Sequence, residues 1–149
     1  GLRPDDYEKR FWDSLSQLKE DDLLIHLGDL AFSGNTPIGQ GLKLIRGNKT
    51  LVRGNHDQGY EKYYKLGFNF VCDSFRLGYM GKNFVFSHRP FKIGDNEVNI
   101  HGHLHGNNHR LEGELEWYLT RPVKQYLDLA PEVFGCRMVG LKEIVKHFS

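Results

Sequence analysis

The chain has few cysteines, no long apolar run and almost no net charge, and each of these absences excludes a class of protein. Two cysteines, Cys72 and Cys136, are too few for a disulfide framework, so we expect buried thiols and a cytoplasmic protein. No apolar run approaches the roughly 18 residues of a transmembrane helix, so no membrane association is expected. The formal charge of +1 predicts no strong attraction to nucleic acids.

The length and composition favour one packed domain. A chain of 149 residues with 39% hydrophobic residues is long enough to bury an ordinary core, and we predict a single domain over 1–149. The sequence opens Gly-Leu-Arg-Pro, with no initiator methionine. We therefore expect that a segment preceding Gly1 has been left out or removed.

Hydrophobic periodicity predicts alternating helices and strands. Helices are expected over 5–20, 40–45, 60–66 and 141–148. Strands are expected over 23–27, 50–53, 68–77, 83–86, 98–100 and 125–130, and the first, being apolar throughout, is expected to be buried on both faces. Glutamates alternate with apolar residues over 111–117, which predicts an antiparallel strand. The pattern indicates a mixed α/β fold that is mostly parallel in its first half and antiparallel in its second.

A histidine-rich stretch, His-Gly-His-Leu-His over 101–105, ends the strand 98–100. Side chains two apart in a strand share a face, so His103 and His105 project together, as half of a metal site would require. A solvated histidine-rich turn explains this stretch alone equally well. His101 has two open roles, either orienting a ligating imidazole or packing in the strand.

Three further polar signatures also follow apolar strands: Gly28-Asp29, Gly54-Asn55-His56-Asp57 and Ser87-His88. The first two are also typical of turns, and a single histidine at a strand end is commonly just a hydrogen-bonded side chain, but ligands of α/β sheets bind where the carboxyl ends of strands meet. Their joint occurrence therefore predicts one site. Its oxygen and nitrogen donors, without a thiolate, suit manganese, iron, zinc, nickel or cobalt, and a shared carboxylate can bridge two such ions.

Taken in order, these motifs resemble those of the calcineurin-like metallophosphoesterases. The stretches 26–29 and 51–57 look like the small bacterial and phage members of that group. The resemblance implies a four-layer αββα sandwich with mixed β-sheets. It also implies a centre of two divalent metal ions at one edge, with Mn²⁺ as the expected metal.

The resemblance also implies a role for each motif residue. Five residues would be metal ligands: Asp29, Asn55, His88, His103 and His105. Asp29 would bridge the two ions, and His105 would serve the second of them. His56 would stabilise the transition state or protonate the leaving oxygen, with Asp57 positioning it, while a hydroxide activated by both metals attacks phosphorus.

One family motif is absent, since no aspartate in this chain has a histidine two residues later. The family's opening Asp-x-His would lie just upstream of Gly1, so we expect an N-terminally truncated domain that lacks its first strand. The second metal would then keep only Asp29 and His105, which predicts impaired loading and feeble hydrolysis. Arg53 and Arg89 flank the motifs and are candidates for holding phosphate, although a solvated position is equally compatible.

The leading functional hypothesis is metal-dependent hydrolysis of a small phosphorylated substrate, either a monoester or a diester. A non-catalytic metal-binding or scaffold protein of the same fold is the first alternative, and the intact His56-Asp57 pair argues against it. A nuclease is the second alternative. It is not favoured, because the chain lacks a basic run interleaved with aromatic residues.

Overall fold

The computed structural model describes residues 6–28, 46–54, 59–102, 113–129 and 138–148. Its helices and strands, in chain order, are α1 Tyr7–Leu15, β1 Leu23–His26, β2 Asn48–Val52, α2 Tyr60–Lys65, β3 Phe70–Cys72, β4 Ser74–Tyr79, β5 Lys82–Ser87, β6 Glu97–His101, β7 Tyr126–Asp128 and α3 Leu141–His147. Two 3-10 helices, Gly113–Thr120 and Val123–Gln125, precede β7. The predicted helix over 40–45 lies outside the described residues. None of the described helices is both long and apolar enough to cross a membrane.

The first sheet has the order β1-β2-β3, and both of its strand pairs are parallel. This confirms the parallel arrangement predicted for the first half of the chain. The expectation that β1 is buried on both faces is wrong, because its residues are half-buried and Leu23 is 46% exposed. Among the described strands β1 lies at the sheet edge and pairs with β2 alone, which leaves its outer side uncovered by that sheet.

The second sheet has the order β4-β5-β6-β7. Only β4 and β5 are antiparallel, joined by a two-residue turn in which Met80 and Gly81 have φ of 48° and 77°. The pairs β5-β6 and β6-β7 are parallel. The predicted antiparallel second half is therefore correct for the hairpin and wrong for the rest.

Two predicted strands differ from the structure. The stretch 68–77 forms two strands, because the chain leaves the first sheet at Cys72 and enters the second at Ser74. The stretch 111–117 was predicted as a strand, but a 3-10 helix begins at Gly113. The rings of the consecutive residues Trp117 and Tyr118 both lie 5.6 Å from the ring of Tyr126, whereas a strand would turn neighbours to opposite faces.

The two sheets share one apolar core. It comprises Val52, Phe84, Phe86, Val98, Ile100 and Ile144, drawn from both sheets and from α3. A second cluster of Leu51, Tyr63, Phe68 and Val71 packs α2 against the first sheet. Because adjacent residues of β2 contribute to different clusters, that sheet is covered on both faces. Cys72 is a free, half-buried thiol whose pKa is raised by burial, and Cys136 lies outside the described residues. The predicted α/β architecture with two packed sheets is confirmed.

Candidate active site

Most of the predicted site residues lie outside the described residues: Asp29, Asn55, His56, Asp57, His103 and His105. The structure does describe His88, Arg53 and Arg89. It also describes three glycines, Gly28, Gly54 and Gly102, each of which immediately precedes a predicted ligand. These neighbours locate the site, while the ligand set itself stays a prediction.

The carboxyl ends of β1, β2, β5 and β6 meet around His88. A Cβ built on Gly28 would lie 2.5 Å from the backbone nitrogen of Gly54 and 2.8 Å from Nδ1 of His88. Nδ1 of His88 lies 2.7 Å from the carbonyl oxygen of Leu27, and the amide of Gly102 donates to the His88 carbonyl at 2.9 Å. Gly28, Gly54 and Gly102 therefore lie around one residue, His88.

Glycine is required at position 28 for two reasons. Its φ of 99° is a conformation that side chains with a Cβ rarely adopt, and the space for a Cβ is already occupied by Gly54 and His88. The amide of Gly28 donates to Nδ1 of His26 at 3.1 Å, which holds the turn at the end of β1. The glycine of this motif is thus explained by close packing of two strand ends.

His88 is held in the form that a metal ligand needs. The side chain is buried, with 6% exposed. Since the Leu27 carbonyl can only accept, Nδ1 carries the hydrogen and the neutral ring keeps its lone pair on Nε2. Ser87 fixes the same turn, because its hydroxyl donates to the Arg89 carbonyl at 2.6 Å and accepts from the side-chain Nδ2 of Asn99 at 2.9 Å. Metal-binding histidines commonly donate the N–H of the nitrogen that does not bind the metal to a carbonyl oxygen, as Nδ1 of His88 does to Leu27.

His101 lies fully buried behind the site. Its Nδ1 lies 3.0 Å from the Gly102 carbonyl, and its Nε2 lies 2.7 Å from the hydroxyl of Tyr118. Burial lowers the pKa of His101, although the Gly102 carbonyl and the Asp128 carboxylate oppose that effect. The sequence reasoning missed Tyr118, because a partner 17 positions away leaves no spacing pattern.

Arg53 binds an acidic partner beside the site. Its Nε and Nη2 lie 2.9 and 2.8 Å from one oxygen of Asp73, and its guanidinium lies 4.1 Å from the ring centroid of Tyr60. Tyr60 in turn donates its hydroxyl to the other Asp73 oxygen at 2.9 Å. Arg89 is exposed next to His88. Phosphate binding by either arginine stays a prediction.

The Asp73 contacts predict a small, pH-dependent contribution to stability. Burial raises the pKa of Asp73, but the hydrogen bonds from Arg53 and Tyr60 outweigh it and hold the pKa below its usual range. A lowered folded-state pKa stabilises above the unfolded-state value and is lost as the pH falls through the folded-state value. Because the side chain is 65% exposed, we expect Asp73→Asn to cost only about 0.2–1 kcal/mol at pH 7.

Urea unfolding at pH 7 and pH 3 checks this expectation. The difference between the wild type and Asp73→Asn should shrink at the lower pH. An equal difference at both pH values would show that the carboxylate charge is not what the contact depends on.

Within the described residues, no group of three or more histidine, cysteine, aspartate or glutamate side chains is placed to hold a metal ion. Of the five predicted ligands only His88 belongs to that part of the chain, so the ligand set is untested by this finding. The donor chemistry is tested through His88 alone, and there the tautomer and the burial fit.

Comparisons with known proteins found similarities in sequence and in structure. The sequence profile of the calcineurin-like phosphoesterases matches residues 4–133. An uncharacterized protein of Methanocaldococcus jannaschii is 28% identical over 134 residues, covering 87% of this chain and 67% of that protein. The crystal structure of a protein of unknown function from Aquifex aeolicus matches with a TM-score of 0.75 and 26% identity, covering 98% of this chain and 87% of that one.

Proposed function

This chain belongs to the calcineurin-like phosphoesterase family, whose members generally use divalent metal ions, and we propose that it hydrolyses small phosphate esters at the site around His88. The observation that carries the proposal is that Gly28, Gly54 and Gly102 lie around His88: Gly28 packs against Gly54 and the His88 imidazole, and the amide of Gly102 donates to the His88 carbonyl. Each glycine immediately precedes a predicted ligand, and this supports the proposal that Asp29, Asn55 and His103 gather at one site.

The described residues fit a metal centre in two respects. The Leu27 carbonyl selects the His88 tautomer with its lone pair on Nε2, and glycine at position 28 lets two ligand-bearing strand ends approach closely. With Asp29, Asn55, His103 and His105 added, the donors are oxygen and nitrogen, which suits Mn²⁺ and also iron, zinc, nickel or cobalt. Two such cations, when bound, neutralise phosphoryl oxygens and lower the pKa of a water molecule.

The chain's own residues would supply the remaining chemistry. His56, as an imidazolium, donates its proton to the leaving oxygen as the ester bond breaks. A positioned acid of this kind contributes on the order of 10²–10⁴ in rate. Asp57 orients that imidazole and favours its charged form, because a carboxylate attracts an adjacent imidazolium. Arg89, which is exposed and follows His88 in the chain, would bind a phosphate oxygen.

Removal and return of the metal tests the proposal. We expect chelated protein to turn over neither bis(p-nitrophenyl) phosphate nor p-nitrophenyl phosphate, and added Mn²⁺ to restore turnover of at least one of them. Because the metal binds only the folded state, Mn²⁺ at 100 times its dissociation constant should stabilise the protein by about 2.7 kcal/mol. Metal content, thermal unfolding and turnover are measured on the same sample.

The outcomes of this experiment distinguish the proposed hydrolase from the non-catalytic protein and from the nuclease. Metal binding without turnover would favour the non-catalytic alternative, and unchanged turnover after chelation would contradict the proposal. One metal per chain would support the impaired loading expected without Asp-x-His, whereas two would contradict it. A preference for the diester, with a steep loss of activity in salt, would favour the nuclease.

A further inference from the structure

The end of β6 is fixed by hydrogen bonds from three directions. The carbonyl of His101 accepts from the amide of Leu129 at 2.7 Å, and the amide of Gly102 donates to the carbonyl of His88 at 2.9 Å. The carbonyl of Gly102 accepts from Nδ1 of His101 at 3.0 Å. That last carbonyl belongs to the peptide group that joins Gly102 to His103. The imidazole of His101 therefore restrains the Gly102 carbonyl.

Tyr118 holds the other side of that imidazole. Nδ1 of His101 faces a carbonyl and so carries the ring hydrogen, which makes Nε2 the acceptor for the Tyr118 hydroxyl at 2.7 Å. The two rings are nearly perpendicular, at 85°, with centroids 5.2 Å apart. Tyr118 is 2% exposed, and burial raises its pKa to about 12, so the hydroxyl keeps the proton it donates.

Tyr118 is itself held in place by its neighbours. Its ring lies edge-on to the ring of Tyr126, with centroids 5.6 Å apart, and the guanidinium of Arg121 lies 3.7 Å from its centroid. Arg121 also donates to the Tyr118 carbonyl at 2.8 Å. A continuous series of fixed groups thus runs from this aromatic cluster to the Gly102 carbonyl.

We infer that Tyr118 is a positioning residue for the proposed metal ligand His103 and acts on it through His101 and the Gly102 carbonyl. The inference rests on the proposed function, since it takes His103 as a ligand. Without the hydroxyl, Nε2 of His101 would be a buried acceptor that has lost its donor, which is costly. The ring would turn to find another partner, and the Gly102 carbonyl would lose its restraint.

The matched pair Tyr118→Phe and Tyr126→Phe tests this inference. Both variants remove one hydroxyl from the same buried cluster and keep the ring, but only the first removes the donor to His101. Removing an outer partner of a metal ligand typically weakens metal binding 10–100-fold, and we expect about tenfold for Tyr118→Phe because it acts through an intermediate group. Tyr126→Phe should bind Mn²⁺ as the wild type does. Titration of metal-free protein measures both affinities, and thermal unfolding of each metal-free variant checks that it is folded at the temperature of the titration.

A double-mutant cycle with His101→Phe tests whether Tyr118 acts on metal binding through His101. If Tyr118 acts through His101, Tyr118→Phe should cost no further affinity once His101 has been replaced. Independent losses that multiply in the double variant would overturn the inference. Wild-type affinity in Tyr118→Phe would overturn it and leave the proposed function standing, whereas a wild type that binds no Mn²⁺ would overturn both.

Discussion

Gly28→Ala is expected to lower the free energy of unfolding by about 2–5 kcal/mol and to abolish Mn²⁺ binding. A left-handed conformation costs a residue with a Cβ about 1–2 kcal/mol, and the φ at position 28 is 99°. The new methyl group would also lie 2.5 and 2.7 Å from backbone atoms of Gly54, which no side-chain rotation can relieve. Overpacking of this kind costs about 1–3 kcal/mol. Relief requires the ends of β1 and β2 to separate, which would disturb the place where the proposal gathers Asp29 and Asn55.

Two alanine variants separate these contributions. Gly81→Ala has the left-handed backbone, with φ of 77°, but no atom within 4 Å of the new methyl group. Gly78→Ala has neither problem, because its only neighbour within 4 Å is a side-chain oxygen of Asn83 at 3.8 Å. Urea unfolding should rank Gly28→Ala well below Gly81→Ala, and only Gly28→Ala should lose Mn²⁺. Equal costs at positions 28 and 81 would show that the strand ends separate easily and do not define the site.

His56→Ala is expected to slow turnover by about 10²–10⁴ while leaving the metal content unchanged, because His56 is proposed as an acid and not as a ligand. His88→Ala should instead reduce the metal content, and turnover should fall with it. Removing His88 also takes the donor from the Leu27 carbonyl, so its thermal midpoint should fall as well. Metal analysis and turnover of bis(p-nitrophenyl) phosphate on both variants distinguish the two roles.

A series of phosphate esters sharpens the test of His56. A more basic leaving oxygen depends more on protonation, so the loss in His56→Ala should grow from nitrophenyl to phenyl to alkyl esters. A loss that does not vary with the leaving group would assign His56 to electrostatic stabilisation alone. Loss of metal from His56→Ala would instead contradict its separation from the ligands.

The parts of the fold that the sequence predicted are those with strong local periodicity. The helices Tyr60–Lys65 and Leu141–His147 lie within one residue of the predicted boundaries, and the strand Asn48–Val52 overlaps the predicted 50–53 but begins two residues earlier. The break at Asp73 was not predicted, because the neighbouring apolar residues continue across it and its partners, Arg53 and Tyr60, lie 20 and 13 positions earlier in the chain. The alternation of polar and apolar residues over 111–117 was misleading. It has the two-residue period of a strand, but the backbone from Gly113 onward is a 3-10 helix.

The candidate site was predicted in outline only. Strand ends followed by polar motifs indicated where the ligands would gather, and the positions of Gly28, Gly54 and Gly102 around His88 agree with that. The roles of the motif residues came from resemblance, and they await the experiments above. The link between Tyr118 and His101 depends on how the segment after β6 packs back on that strand, which no spacing in the sequence reveals.

The bond between His88 and the Leu27 carbonyl also bears on how the protein folds. These residues are separated by 61 positions, and they join the ends of strands that belong to different sheets. Such non-local contacts form slowly, because bringing the two residues together first costs the conformational entropy of the chain between them, and the bond offsets that cost only once it has formed. A chain still being synthesised, with only the first sheet emerged, therefore lacks this bond, and the proposed metal site would form only after the two sheets have docked.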